Sequence, residues 1–287
     1  DHNLIENLIF SPRVNLLYKP SDALQGRLTW STGFRAPQAY DEDLHITAVG
    51  GEGVLIHLAD GLKPEKSNSF SGSVDLSGQI GHFQTNLLIE GFYTSLKDVF
   101  YLQNIGNDAL GNILQERRNG SGATVMGLNL EARLAFNPWL QFQIGGTLQR
   151  SRYKEPEKWS EDESVPAETR MFRTPDSYAF LTATVTPVRR FDISLTGTYT
   201  GRMLVQHFAG YVKKDVAKLT NPFFDMGIKL SYDFRIYRSI VLQINGGLKN
   251  IFNAYQRDFD KGPDRDAGYI YGPSLPRTWF LGAKITF

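Results

Sequence analysis

The sequence lacks cysteine, lacks any apolar run of about eighteen residues, and lacks an excess of charge of either sign. The missing cysteine fits an oxidising envelope compartment, although many cytosolic domains also do without it. The missing apolar run excludes a transmembrane helix. A net charge of +1, from 31 Lys and Arg against 30 Asp and Glu, gives no indication of a nucleic-acid partner or a polybasic surface.

Signatures of catalysis are missing as well. The sequence contains no nucleophile elbow, no histidine pair at metal-binding spacing and no phosphate-binding loop. We therefore predict that the protein is not an enzyme, with no catalytic residues, no resident metal and no cofactor. A Ser and His pair on adjacent strand ends is an arrangement that the sequence alone leaves open.

The chain does contain an alternation of apolar and polar residues with a period of two. In the last strand the odd positions from Leu275 to Phe287 are mostly apolar, and the even positions from Thr278 are mostly polar. Successive side chains of a β-strand point to opposite faces, so such a strand has one apolar and one polar face. The pattern recurs along the chain and is typical of an antiparallel barrel whose outside meets lipid and whose inside meets water.

About eleven such strands of roughly ten residues can be counted, a length that crosses a bilayer when the strand is tilted. Short connections, rich in turn-forming residues, alternate with long ones. The long connections lie near 35–66, 95–122, 151–173, 201–221 and 253–273. A membrane barrel has short turns on the periplasmic side and long loops outside, whereas a soluble β-sandwich has no reason to alternate so regularly.

The strand that begins near residue 140 makes the assignment of faces testable, because its period-two split is clear. The side chains predicted to face lipid are Leu140, Phe142, Ile144 and Leu148. The side chains predicted to face the lumen are Gln141, Gln143 and Gln149. If Phe142 and Ile144 pointed into the lumen, the register would be wrong.

The strand count is odd, and the chain opens on Asp1 without a charged and apolar signal segment. Single-chain bacterial barrels have an even number of strands, and an open sheet edge is not tolerated in lipid. We therefore expect the missing strands to come from elsewhere in the same polypeptide or from a partner chain.

Four short motifs fall at strand ends. They read FRAP at 34–37, LKPEKS at 62–67, NIFNAY at 250–255, and GPSLPRT at 272–278 leading to the terminal Phe287. In this order they resemble the boxes of TonB-dependent outer-membrane receptors, and the resemblance covers essentially all 287 residues. Asp60 and Gly61 stand where the family has Asn-Pro in the second box, which weakens any inference about ligand from that box.

The resemblance implies an all-β fold, an antiparallel transmembrane β-barrel of 22 strands filled by an N-terminal plug. Residues 1–287 would be the C-terminal half of that barrel, with the plug domain and the first strands absent from this chain. The implied function is energy-coupled import of a scarce nutrient complex through the outer membrane of a Gram-negative bacterium. The stretch at 34–46 resembles Bacteroidetes members in particular.

The partners that the resemblance implies are outer-membrane lipid, the remaining barrel strands and the plug domain. The inner-membrane TonB energy transducer would act through the absent N-terminal part, and a small-molecule or metal-chelate ligand would bind outside. A surface lipoprotein is a further candidate partner, and no nucleic acid is expected.

Candidates for ligand binding lie in the long connections. His45 and His57 lie between the first two boxes, where haem receptors of the resembled family place an iron-ligating histidine, and imidazole is a natural iron ligand. The ordinary alternative is that both are polar loop residues. The candidate ligand-binding residues are Arg35, Tyr40, His45, His57, Trp159, Tyr269 and Tyr271.

Two acidic stretches also lie in these connections. One contains Asp258, Asp260, Asp264 and Asp266 around Gly262, but its spacing does not match the calcium-binding loop between two helices. We therefore expect a solvated loop there. The other runs from Lys154 to Glu163 and is expected to be a mobile surface loop that could contact a basic partner.

Three classes of function remain open on the sequence. An importer of siderophore-bound iron, haem or cobalamin is favoured, with an iron complex ranked first and cobalamin close behind. A passive outer-membrane porin is the runner-up, and a barrel for surface adhesion or lipoprotein docking is the third. The fold does not determine the cargo.

Overall fold

The computed structural model describes residues 9–37, 54–136 and 139–287, and every regular element among them is a β-strand. These strands are β1 (Arg13–Ser21), β2 (Leu24–Arg35), β3 (Val54–Leu58), β4 (Glu65–Ile80), β5 (Phe83–Lys97), β6 (Phe100–Asn107), β7 (Ile113–Asn119), β8 (Ala123–Phe136), β9 (Leu140–Glu157), β10 (Glu168–Arg170), β11 (Ser177–Val188), β12 (Phe191–Thr200), β13 (Leu204–His207), β14 (Val216–Leu219), β15 (Phe223–Tyr237), β16 (Ile240–Lys249) and β17 (Thr278–Thr286). Within these ranges no helix is long and apolar enough to cross a membrane.

The eleven longest strands form one antiparallel sheet in the order β1-β2-β4-β5-β8-β9-β11-β12-β15-β16-β17. Each strand pairs with its neighbours in chain order, which is the topology of an up-and-down barrel wall. The predicted count of about eleven strands is confirmed. Among the described residues β1 and β17 are the two ends of this order, so the sheet does not close on itself.

Short and long connections alternate as predicted. The described short turns lie between β1 and β2, β4 and β5, β11 and β12, and β15 and β16. In the second of these, Gly81 has a φ of +60°, a left-handed conformation that glycine adopts without steric cost. Because neighbouring strands are antiparallel, the five long connections all leave the sheet and rejoin it at the opposite end.

In the described part of the long connections there are six short strands, of which the sequence pattern gave no sign. β3 pairs parallel with β7, and β7 pairs antiparallel with β6, so these three form a separate small sheet. β13 and β14 form a hairpin, and β10 extends the main sheet beside β9. The long connections are therefore partly ordered by their own backbone hydrogen bonds.

The register of the main sheet keeps each face uniform from strand to strand. Leu134 pairs with Phe142 and Leu128 with Leu148, which places the predicted lipid-facing set on one common apolar face. Gln143 pairs with Arg133 and lies on the other, polar face. The predicted division of residues 140–149 into two faces is confirmed, and Leu148 is 62% exposed.

The polar face is held by hydrogen bonds between side chains of adjacent strands. Gln143 Nε2 donates to Glu131 Oε1 at 2.9 Å, and Asn129 Nδ2 donates to Glu90 Oε2 at 3.0 Å. Thr147 Oγ1 donates to Asn129 Oδ1 at 2.7 Å. Such cross-strand pairs stabilise a sheet and satisfy polar groups that are partly buried. The buried hydrophobic cluster lies elsewhere, in the long connections and at the start of β15.

Candidate functional site

Three long connections, residues 158–176, 201–222 and 250–277, form one cross-linked assembly that we call the loop crown. Arg173 donates to the carbonyl oxygens of Ile270, at 3.0 Å, and Gly268, so the first connection is tied to the third. Ser160 Oγ donates to Asp215 Oδ2 at 2.6 Å and ties the first connection to the second. The crown is therefore an ordered platform at one end of the sheet.

The centre of the loop crown is the carboxylate of Asp258. The hydroxyl of Tyr269 donates to Oδ2 at 2.9 Å, the hydroxyl of Tyr271 donates to Oδ1 at 2.5 Å, and Lys218 Nζ donates to Oδ2 at 2.5 Å. Burial alone would raise the pKa of this carboxyl, but the Lys218 ammonium and the two hydroxyls lower the pKa well below its usual range. Burial raises the pKa of both tyrosines, and their bonds to the carboxylate raise it further.

A buried His207 lies beside this carboxylate centre. Its Nε2–H donates to both oxygens of Asp260, at 3.0 and 2.9 Å, since a carboxylate can only accept. The imidazole stacks on the ring of Tyr269, with centroids 3.7 Å apart and planes 3° from parallel. Tyr269 is only 1% exposed, so this stack joins the second and third connections in the interior of the crown.

The third connection is closed at its base by the two asparagines of NIFNAY. Asn250 Nδ2 donates to the carbonyl oxygens of Ala254 and Leu275, both at 2.8 Å, and its Oδ1 accepts the N–H of Ala254. Asn253 Oδ1 accepts the N–H of Arg277 at 3.0 Å. Both asparagines have positive φ, which Asn tolerates better than most residues. The motif thus joins the two ends of the connection.

An aromatic patch lies on the outer part of the loop crown. The ring of Trp159 contacts those of Phe172 and Phe208, with centroids 5.3 and 6.0 Å apart. Its Nε1–H donates to the carbonyl oxygen of Pro166 at 3.2 Å. Phe208 remains 41% exposed. These rings form a rigid, partly exposed aromatic surface.

The first two motifs, FRAP and LKPEKS, meet near the opposite edge of the main sheet, where β2 pairs with β4. Arg35 and Glu65 are directly paired across β2 and β4, and Arg35 donates Nε to Oε2 at 2.7 Å and Nη2 to Oε1 at 2.9 Å. The guanidinium lies over the ring of Phe100, with its carbon 5.1 Å from the ring centroid. The FRAP and LKPEKS segments therefore close the base of the connection between β2 and β4.

The comparison with protein families decides what this architecture is. A family model described as TonB dependent receptor-like, beta-barrel, matches residues 5–251. The chain belongs to this family. TonB-dependent receptors are transporters, which agrees with the prediction that the protein is not an enzyme. No curated protein matches the sequence.

Solved receptor structures share the fold at low sequence identity. The ferric-catecholate import receptor Fiu of E. coli K12 superposes with a TM-score of 0.61 at 17% identity, covering 94% of this chain and 34% of that receptor. A ferric enterobactin receptor (PfeA) mutant of Pseudomonas aeruginosa gives 0.66 at 16%, covering 98% and 41%. The siderophore receptor PirA of Acinetobacter baumannii gives 0.64 at 16%, also covering 98% and 41%. The chain therefore spans about two fifths of the length of such receptors or less.

The structure places the predicted site residues of this receptor barrel in separate regions. Trp159, Tyr269 and Tyr271 lie together in the loop crown. Arg35 lies on β2, with seven strands of the main sheet between β2 and β16. His57 is exposed on β3, opposite Glu116 of β7. Tyr40 and His45 lie outside the described residues.

The two expectations about acidic stretches are correct only in part. Asp260 is buried against His207 and Asp258 is bonded to three donors, whereas residues 261–265, with Asp264 among them, are exposed as expected. Residues up to Glu157 belong to β9 and Ser160 is buried, whereas Lys158 and residues 161–163 are exposed and lie outside any strand. Sequence reasoning missed His207 and Lys218 because their partners lie about 40 to 50 residues away in the chain. Among the described residues no three His, Cys, Asp or Glu side chains converge as metal ligands.

Proposed function

We propose that this chain forms part of the barrel wall and outer rim of an outer-membrane receptor that imports an iron–siderophore complex by energy coupling through TonB. The observation that carries the proposal is the ordered loop crown, which stands at one end of a sheet with one apolar and one polar face. Ordered outer loops can present a ligand surface without a large loss of conformational entropy on binding.

Membrane placement follows from the two faces. Large apolar side chains on the apolar face are exposed, and an apolar surface of this extent marks contact with lipid or a partner. The polar face then lines the lumen. It carries an open recess of ≈ 540 Å³ near the short turns, lined by Arg133, Gln141 and Gln143 among others. A folded plug could bond to these groups. We assign the plug and the remaining strands to the rest of the receptor, outside residues 1–287.

The ligand class is argued from the exposed groups of the loop crown. Trp159 and Phe208 supply an aromatic surface, while Lys213 and Lys214 lie exposed in the same connection as Phe208. Aromatic rings and cations together suit a planar, anionic chelate. Receptors of similar fold are named for ferric catecholate and ferric enterobactin, which supports a catecholate siderophore as the first ligand to test.

The predicted ligand-binding residues then divide by accessibility. Trp159 is proposed to touch the ligand directly. Tyr269 and Tyr271 are buried, so they are proposed to act by shaping the crown around Asp258. His57 is exposed, which leaves a haem ligand with His57 and His45 as the second candidate, and cobalamin as the third.

The test uses the full-length receptor in a Gram-negative host that lacks its own catecholate receptors. Uptake of radioactive ferric enterobactin should appear with the receptor and vanish when the inner-membrane transducer is deleted. Trp159→Ala should weaken ligand binding, whereas Trp139→Ala, at the short-turn end, should not. Uptake that persists without the transducer would support a porin. Binding of a surface lipoprotein without uptake would support a docking barrel.

A further inference from the structure

We infer that the apolar face carries a binding site for a phosphate-bearing membrane lipid of net negative charge, with cations for the headgroup above a groove for an acyl chain. The inference rests on the membrane placement proposed above and not on the identity of the imported ligand. The site lies on β2, β4, β5, β8 and β9, near the end of the sheet that carries the long connections.

The cations are brought together by the register of the sheet. Lys66 and Lys97 are directly paired across β4 and β5. Lys154 donates its backbone N–H to the carbonyl of Gly122, and glycine leaves no side chain between Lys154 and Lys97. Arg152 and Arg150 follow on the same face of β9, two and four residues nearer the sheet centre, opposite Thr124 and Met126. Neighbouring strands are about 4.8 Å apart, so these side chains can converge on one anion.

The charge on this patch is of one sign. Among the described residues, the apolar face of β2, β4, β5, β8 and β9 carries no Asp or Glu. Arg170, opposite Arg152, donates to Asp176 at 2.6 Å. Lys97, Arg150, Arg152 and Lys154 therefore form a patch of one sign, which suits an anionic headgroup.

The groove lies below the lysines, beyond one polar row formed by Asn68, Ser95 and Thr124. Its floor is formed where Gly72 and Gly91 pair across β4 and β5. Its walls are apolar and aromatic, and its volume is ≈ 820 Å³. The wall side chains are Val14, Leu16, Leu28, Trp30, Phe70, Tyr93 and Met126. The arrangement of an apolar groove below a cationic row matches a lipid with an anionic headgroup.

The other sector of the sheet supplies a contrast. On β12, β15, β16 and β17 the described residues of the apolar face include no Lys or Arg. Tyr199, Phe224 and Trp279 occupy the corresponding upper positions there. The cations are therefore confined to one sector and are not a belt required of every strand at the membrane boundary.

The experiment measures lipid retention by native mass spectrometry of the full-length receptor in detergent. Dioleoyl phosphatidic acid is titrated against dioleoyl phosphatidylcholine. The second lipid has the same acyl chains, but its headgroup is zwitterionic and carries no net charge. The wild type should retain phosphatidic acid preferentially. In the triple variant K97A/R150A/K154A the preference should fall on the order of a hundredfold, since a cation near the lipid surface is worth about fivefold in binding.

The matched control, K158A/K213A/K214A, removes three exposed cations from the loop crown and should keep the preference. G91L should weaken phosphatidic acid retention without changing charge, because nothing lies within 4 Å of a Cβ at this position and leucine would fill the groove. Heat-modifiable gel mobility establishes that each variant is folded, and K97Q/R150Q/K154Q replaces the alanine variant if that one is not.

Three results would overturn the inference. The first is equal retention of the two lipids by the wild type. The second is a preference for phosphatidic acid that is the same in the triple variant and the wild type, or that falls as much in the control variant as in the triple variant. The third is complete displacement of phosphatidic acid by excess inorganic phosphate together with wild-type behaviour of G91L, which would leave a phosphate site with no lipid specificity.

Discussion

Replacing Asp258 by alanine should open the loop crown, because one carboxylate there accepts hydrogen bonds from two tyrosine hydroxyls and an ammonium. A hydrogen bond to a charged group contributes about 1.5–3 kcal/mol, so the two hydroxyls together contribute about 3–6 kcal/mol. The carboxylate side chain is 38% exposed, and screening by water lowers the expected loss to about 2–4 kcal/mol. The equilibrium constant for local opening should then rise about 30- to 1,000-fold.

Hydrogen–deuterium exchange of the full-length receptor measures this opening segment by segment. Residues 250–277 and 201–222 should exchange faster in Asp258→Ala, while the strands of the main sheet should be unchanged. Asp264→Ala is the matched control, since Asp264 is an exposed acid of the same connection. If the two variants exchanged alike, the carboxylate would not hold the crown together and the reasoning would be wrong.

The remaining predictions concern packing, pH and ligand. Gly247→Ala should lower the free energy of unfolding by about 1–3 kcal/mol, because its Cβ would lie 2.0 Å from the Ile228 carbonyl oxygen. The folded fraction on heat-modifiability gels should fall accordingly, whereas Gly91→Ala should be neutral. Because the pKa of Asp258 is lowered, its stabilisation of the crown is complete above about pH 4 and is lost on further acidification. Because the pKa of Tyr269 and Tyr271 is raised, the stabilisation from their hydroxyls is lost as the pH rises above about 10. Hydrogen exchange rates of the crown measured against pH would show both limits. Replacing His45 and His57 by alanine should abolish any Soret shift on adding haemin, and the absence of a shift in the wild type would exclude haem.

The main sheet could be predicted from the sequence because one physical rule controls it. Each strand has an apolar environment on one face and a polar environment on the other. Apolar and polar residues therefore alternate along nearly every strand, as in Leu140 to Leu148. The turns followed from residues that tolerate tight backbone conformations. A register shift of one residue would move every side chain of a strand to the opposite face. The alternation is therefore strongly constrained and easy to recognise.

The loop crown could not be predicted in the same way. Its strands are three or four residues long, lie in connecting segments and lack sustained alternation. Its key contacts join distant positions, such as His207 with Asp260 and Arg173 with Ile270, and spacing along the chain contains no sign of them. One signal was present in the sequence. Asp258 and Asp260 are two residues apart, as are Tyr269 and Tyr271, and residues two apart lie on the same side of an extended segment, as expected of two extended segments that face each other.

The cross-linking of the loop crown has a consequence for immune recognition. An antibody that binds this surface would contact three stretches of chain at once, and its epitope would be discontinuous. A synthetic peptide copying residues 250–277 would lack the imidazole of His207 and the ammonium of Lys218, which help to hold that segment in shape. Immunogens built from such peptides would raise antibodies to the wrong conformation, and a vaccine directed at this surface needs the crown displayed whole on its sheet.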